Sequence, residues 1–262
     1  MGVRQIYLEY LDNAGVFKQG CSVFDIGVQN LFMMDKNYVI KFLKKYGITI
    51  DKNIEKLAYD IELGGGFDPV GQGFNTKAFL GVLLSKAGMN YQSIDVFEHQ
   101  YNIAADLNTY NVPKNCLEKF DLTLNFGTTE HIVNQYNCFK VIHDVTKVGG
   151  YIFHQVPAVG CIDHGYFVYC PQLFFDIANS NSYKIIETWY SGPYPPHNVY
   201  DTLKNKQDSM YKSILPDNNV DALTATSIPD ATINVLMRKV KSCDFTIMLE
   251  LNTSIHAVSD AI

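Results

Sequence analysis

Residues 21–27, CSVFDIG, constrain the fold most: a compact run of β-branched and aromatic side chains that stops on an acid and a glycine. A short apolar run bounded by a turn residue reads as a strand buried on both faces. Strands of that kind belong to parallel sheets covered by helices. The theme then repeats. YQSIDVFE, NIAADLN and FDLTLNFG each end on acidic, Asn or Gly residues, and YIFHQVP and YKIIETWY follow as further strands. Helical spacing fills the intervals. Asp35 is placed to cap a helix through NYVIKFLKKYG with Gly47 as its stop, since Tyr38, Phe42 and Tyr46 share one face. A second helix precedes the glycine-dense LGGGFDPVGQG, and a third runs through FNTKAFLGVLLSKAG to Gly88. Thr128 or Thr129 is expected to cap a helix bearing Ile132, Tyr136, Phe139 and Ile142, Gly149-Gly150 turn the chain into the next strand, and PQLFFDIANSN forms another helix. TINVLMRKV and DFTIMLE close the chain as two strands or one bent one. The alternation predicts the α/β class with a largely parallel sheet.

A chain of 262 residues with 47% hydrophobic content can bury one sizeable core, so residues 1–262 are expected to form a single domain. Residues 31–90 then form a helical insertion or lid, and residues 191–230, with Pro193, Pro195, Pro196, Pro216 and Pro229, a cap or long excursion. The net charge of −6 removes the bulk attraction on which nucleic-acid binding depends, and Lys41, Lys44 and Lys45 read as a solvated helix face. No stretch reaches the roughly 18 apolar residues of a membrane span. The start lacks a signal pattern, and the six cysteines are scattered without a CxxC pair, so they read as reduced thiols of a cytoplasmic protein. Asn252-Thr253-Ser254 is a sequon on paper only. Oligomeric state has no signature here.

In open α/β sheets ligands bind beyond the carboxyl ends of the strands, which directs attention to Asp25, to Asp95 or Glu98, and to Asp106. Two nucleotide readings fail on spacing. GGGFDPVGQG has Gln72-Gly73 where a Walker loop needs Lys and Ser or Thr, and no Gly-x-Gly-x-x-Gly follows the first strand, which disfavours an NAD-dependent oxidoreductase.

VFDIG resembles the first motif of class I S-adenosylmethionine-dependent methyltransferases, SIDVFE resembles their ribose-binding acid strand, and AADLN is similar to the third motif. FDLTLNFGTTEHI resembles the fourth strand with its following Glu-His, and VTKVGGYIFHQVP the paired-glycine entry to the fifth. The resemblance implies a Rossmann-like methyltransferase fold of seven strands, with helices on both faces and a helical insertion after the first strand. It also implies S-adenosylmethionine as cofactor and a small-molecule acceptor. By it, Gly27 lets the backbone approach the methionine part of the cofactor and Asp25 holds the turn or meets the amino group. Asp95 grips the ribose, Asp106 faces the adenine amine, and Asn125, Phe126 and Gly127 line the methyl-transfer site.

Two departures stand out. Gln29 occupies the place of the second glycine, where it either bonds the ligand or fills its space, and Asp95 follows Gly27 far beyond the roughly 20–30 residues of a simple βαβ unit. Gln29 gives weight to an alternative, a non-catalytic relative that keeps the fold for binding or assembly. If a base is used, His131, His154 and His164 are the candidates, with Tyr166 positioning the acceptor. No His or carboxylate set falls at ligand spacing along the sequence, so chemistry without a metal is expected.

Overall fold

The computed structural model describes residues 2–32, 34–63, 78–161, 164–192, 197–198, 227–228 and 230–246. Most of LGGGFDPVGQG, Asp163, most of 191–230, the end of DFTIMLE and the sequon lie outside the described residues.

The first expected strand is β2 (Ser22–Ile26), and its alternation shows why it is buried twice over. Val23 packs into a core formed with the N-terminal helices, whereas Phe24 and Ile26 enter a second core on the opposite face. Asp25 takes the Val23 side. Two elements precede it that carry no strong local signal: β1 (Val3–Arg4) and α1 (Gln5–Asn13). Arg4 gives α1 no side-chain cap, so α1 is held by packing instead, with Tyr7 against Phe126 and Tyr10 against Trp189. After β2, β3 (Leu31–Phe32) pairs in parallel with β1.

The insertion contains α2 (Lys36–Lys45), α3 (Lys52–Glu62) and α4 (Leu80–Lys86), whose buried faces join the same core as α1. The expected cap of α2 is in place: Asp35 Oδ1 accepts from the amides of Asn37 at 2.7 Å and Tyr38 at 3.0 Å. Replacing Asp35 by Ala is expected to lower stability by about 1 kcal/mol, read as a lower urea midpoint with an unchanged slope.

Then come β4 (Asn90–Asp95), β5 (Asn102–Ala104), β6 (Phe120–Phe126), α5 (Gln135–Val145), β7 (Thr146–Val159), α6 (Pro171–Ser180) and β8 (Tyr183–Ser191). A small antiparallel pair, β9 (His197–Asn198) with β10 (Ser227–Ile228), precedes β11 (Ala231–Lys239). The main sheet has seven strands in the order β5-β4-β2-β6-β7-β11-β8. β5, β4, β2, β6 and β7 are parallel, and β11 runs antiparallel to both β7 and β8. Helices α5 and α6 cover the second face.

One expectation is corrected. Neither Thr128 nor Thr129 caps α5: residues Thr129–His131 form a 3-10 turn, and Asn134 caps the helix by accepting from Asn137 N at 3.1 Å. Thr129 is fully buried, and its Oγ1 accepts from Asn125 Nδ2 at 2.9 Å and from the Tyr169 hydroxyl at 3.0 Å. Committed to those bonds, it leaves capping to the next exposed Asn. Ile132 therefore precedes the helix.

Candidate functional site

The chain leaves β2 toward β4 on one side and leaves β6 toward β7 on the other, so the crevice of an open sheet falls between the carboxyl ends of β2 and β6. Gly27 turns the chain there with φ +93°, its amide donating to Ile94 O at 2.8 Å. Asp95, at the end of the adjacent strand β4, braces the turn: its Oδ2 accepts from Val28 N at 2.9 Å and its Oδ1 from Val96 N at 2.7 Å. Gln29 is 4% exposed, and its Nε2 donates to Thr128 Oγ1 at 2.9 Å and to Ile26 O at 3.3 Å. A Cβ on Gly27 would overlap Thr128 Oγ1 and come within 2.9 Å of Gln29 Nε2. The space over the turn is thus taken by the chain's own side chains. Gln29 lies over this turn, bonded to Thr128 and Ile26.

Asp25 lies under this turn, fully buried, with Oδ2 accepting from the Tyr91 hydroxyl at 2.7 Å. Its Oδ1 has no hydrogen-bond partner among the described residues. Burial pushes its carboxyl well above the usual range, the Tyr91 hydrogen bond pulls it part of the way back, and the Asp95 charge pushes it further up. Asp106 stands apart on an exposed turn after β5, where its Oδ1 accepts from Asn108 N and Nδ2, both at 2.8 Å.

At the end of β6, Asn125 is buried and donates through Nδ2 to Thr129 Oγ1, the same group lying 3.1 Å from His154 Nδ1. Phe126 faces α1, and Gly127 turns the chain with φ +73°. His154 is enclosed between the rings of Phe139 and Phe174, 1% exposed, and burial pulls it down to about 3. Its imidazole is a buried core group. Tyr166, 74% exposed, is held through its backbone, where its amide donates to Glu130 O at 2.8 Å.

That backbone contact assembles a group the sequence left scattered. The Glu130 carbonyl also accepts from Phe167 N at 3.2 Å, pinning the loop after β7 onto the turn after β6. A Cβ on Gly165 would come within 2.8 Å of Glu130 Cγ, so glycine permits this approach. His164 is thereby delivered to Glu130, with Nε2 3.2 Å from Oε1, and His131 Nε2 lies 3.9 Å from the same oxygen. The two imidazoles meet edge to face at 4.8 Å. Burial holds His131 below its ordinary value, opposed by the Glu130 charge and reinforced by His164. One candidate ligand atom each of Glu130, His131 and His164 lies within 4.8 Å of the others, brought together from two loops that spacing along the sequence does not relate. The Glu130-His131 pair stood out in the sequence directly after the fourth strand; that His164 joins it did not.

The sheet order supplies the remaining observation: a parallel array that reverses at β2 and β6 and admits one antiparallel strand, β11, beside the outer edge. This is a Rossmann-like α/β fold. Solved structures with similar arrangement include a candidate methyltransferase from Bacillus halodurans C-125, at 11% identity and TM-score 0.49, covering 89% of this chain and 99% of that one. An S-adenosylmethionine-dependent methyltransferase from Archaeoglobus fulgidus aligns at 10% identity and TM-score 0.43, over 91% and 95% of the two chains. The 1,6-didemethyltoxoflavin-N1-methyltransferase of Burkholderia thailandensis, solved with 1,6-didemethyltoxoflavin and S-adenosylhomocysteine, aligns at 8% and TM-score 0.40, over 89% and 76%. No protein-family model matches the chain, and no curated protein matches it by sequence. The fold assignment rests on the sheet order itself. No helix among the described residues is long and apolar enough to cross a membrane, and Cys21, Cys116, Cys138, Cys170 and Cys243 are free thiols.

Proposed function

We propose that the chain binds S-adenosylmethionine in the crevice between β2 and β6 and transfers its methyl group to a small-molecule acceptor. The observation that carries this reading is Asp95 at the end of β4, bonded to Val28 N and thereby fixing the Gly27 turn. An acid at that strand end, beside a turn without a Cβ, suits a ribose diol next to a close backbone approach. Asp25 and Asp95 supply the acceptors an adenosyl amino acid needs, whereas Gln29 stands where its methionine part approaches and must exchange its bonds to Thr128 and Ile26 for the ligand to enter. The bound sulfonium supplies an activated methyl group. The protein's part is alignment, since an in-line displacement gains most from fixed geometry. Glu130, His131 and His164 form the acceptor side, while Asp106 and His154 take structural roles.

The buried, bonded Gln29 favours a second reading, a protein of this fold that binds without transferring. Calorimetric titration with S-adenosylmethionine and S-adenosylhomocysteine separates the two. The wild type is expected to bind both, and Asp95→Ala to weaken binding roughly 10–100-fold, the worth of one charge-assisted hydrogen bond. Failure of both ligands to bind would end the methyltransferase reading, and binding without turnover over a broad acceptor set would establish the second one.

A further inference from the structure

We propose that Glu130, His131 and His164 form a binding site for one divalent transition-metal ion, with zinc the first candidate. The floor of the site is the Glu130 carboxylate, which is 0% exposed and has neither oxygen in a hydrogen bond among the described residues. A buried carboxylate left in that state is costly unless a positive charge reaches it. His164 Nε2 stands 3.2 Å from Oε1, yet that nitrogen also makes no hydrogen bond among the described residues. An imidazolium paired with the acid would aim its N–H at the oxygen. Two atoms at this separation and not aligned with each other have the arrangement of ligands directed at a common third point. Ligand atoms about 2.0–2.2 Å from a tetrahedral ion lie about 3.3–3.6 Å apart, close to the 3.2 and 3.9 Å found for His164 and His131 against Glu130.

The donor set selects the ion. Two imidazole nitrogens with one carboxylate suit zinc and its neighbours, whereas magnesium and calcium take oxygen ligands. Three protein ligands leave a position open for water or for an oxygen of an acceptor, the pattern of catalytic rather than structural sites. Access is provided as well: the imidazoles are 43% and 28% exposed above the buried acid. The site adjoins the crevice through Thr128, which touches Gln29, but its formation requires neither the cofactor nor the activity proposed above.

The test is a titration of the metal-stripped full-length chain with zinc chloride by calorimetry, repeated with cobalt chloride to read the ligand field by absorption. One equivalent is expected to bind, with a cobalt spectrum of four or five coordination. Glu130→Gln, His164→Ala and His131→Ala are each expected to weaken binding more than about 100-fold, since even outer-shell losses cost 10–100-fold. His131 sits on the exposed rim, so its variant serves if a change at the buried acid prevents folding. Cys170→Ser, at the exposed thiol, is expected to leave binding unchanged. Absence of binding to the wild type would overturn the site and leave an ion-paired cluster. Binding retained by all three ligand variants, or lost in Cys170→Ser, would also overturn it.

Discussion

Gly27→Ala is expected to cost about 2–5 kcal/mol of unfolding free energy, measured as a fall in the urea midpoint. Two effects add. At φ +93° an L side chain is strained by about 1–2 kcal/mol, and the new methyl group overlaps Thr128, where overpacking costs about 1–3 kcal/mol. Of the two other staggered positions of Thr128, one puts Cγ2 in the same space and the other only the Cβ hydrogen. Either rotation would break the 2.9 Å bond from Gln29. Gly47 supplies the control: it has φ +81°, but a Cβ there meets nothing within 4 Å, so Gly47→Ala should show the backbone share alone, about 1 kcal/mol. Removing the Thr128 side chain in the Gly27→Ala background should restore the packing share, a non-additivity expected of residues in contact. Equal losses at Gly27 and Gly47 would refute the tight turn.

These residues also show where sequence reasoning stops. The strand at residues 21–27 was legible because its composition is dictated by burial on both faces, and Asp35 because capping is a local hydrogen bond. α1 was not, since what holds it is the distant rings of Phe126 and Trp189. Gln29 was legible as a departure, but not the direction of its amide, which depends on Thr128 in the turn after β6, a strand that pairs with β2 only in the folded sheet. The same holds for Glu130 and His164. Their proximity is created by the lengths of β6 and β7 and the loop clamped at the Glu130 carbonyl, quantities with no local pattern. The burial of His154 was hidden for the opposite reason: a strand histidine looks accessible in the sequence, and it is the rings of α5 and α6 that close over it.

Asp25→Asn is expected to stabilise the protein at neutral pH, against the usual sign for a change in a core. Burial holds the Asp25 carboxyl well above the ordinary value of about 3.9, so over that interval the folded chain keeps a proton that the unfolded chain releases. The sign follows directly. Where the folded state binds more protons, stability is full below the unfolded value and falls as pH rises toward the folded one. Each pH unit in that window costs about 1.4 kcal/mol through this group. Asn keeps an oxygen for the Tyr91 hydroxyl and does not ionise, so the cost disappears. Asp121, held low by Lys147 and Ser22 against its own desolvation, gives a slope of the opposite sign at acid pH, which is common to both proteins and cancels in their difference. Urea unfolding of wild type and variant at a series of pH values is therefore the measurement, and the gap should widen upward from about pH 4 by about 1.4 kcal/mol per unit. A constant gap would mean that Asp25 is ionised in the folded chain and that a cation, not a proton, satisfies the oxygen left without a partner beneath the Gly27 turn.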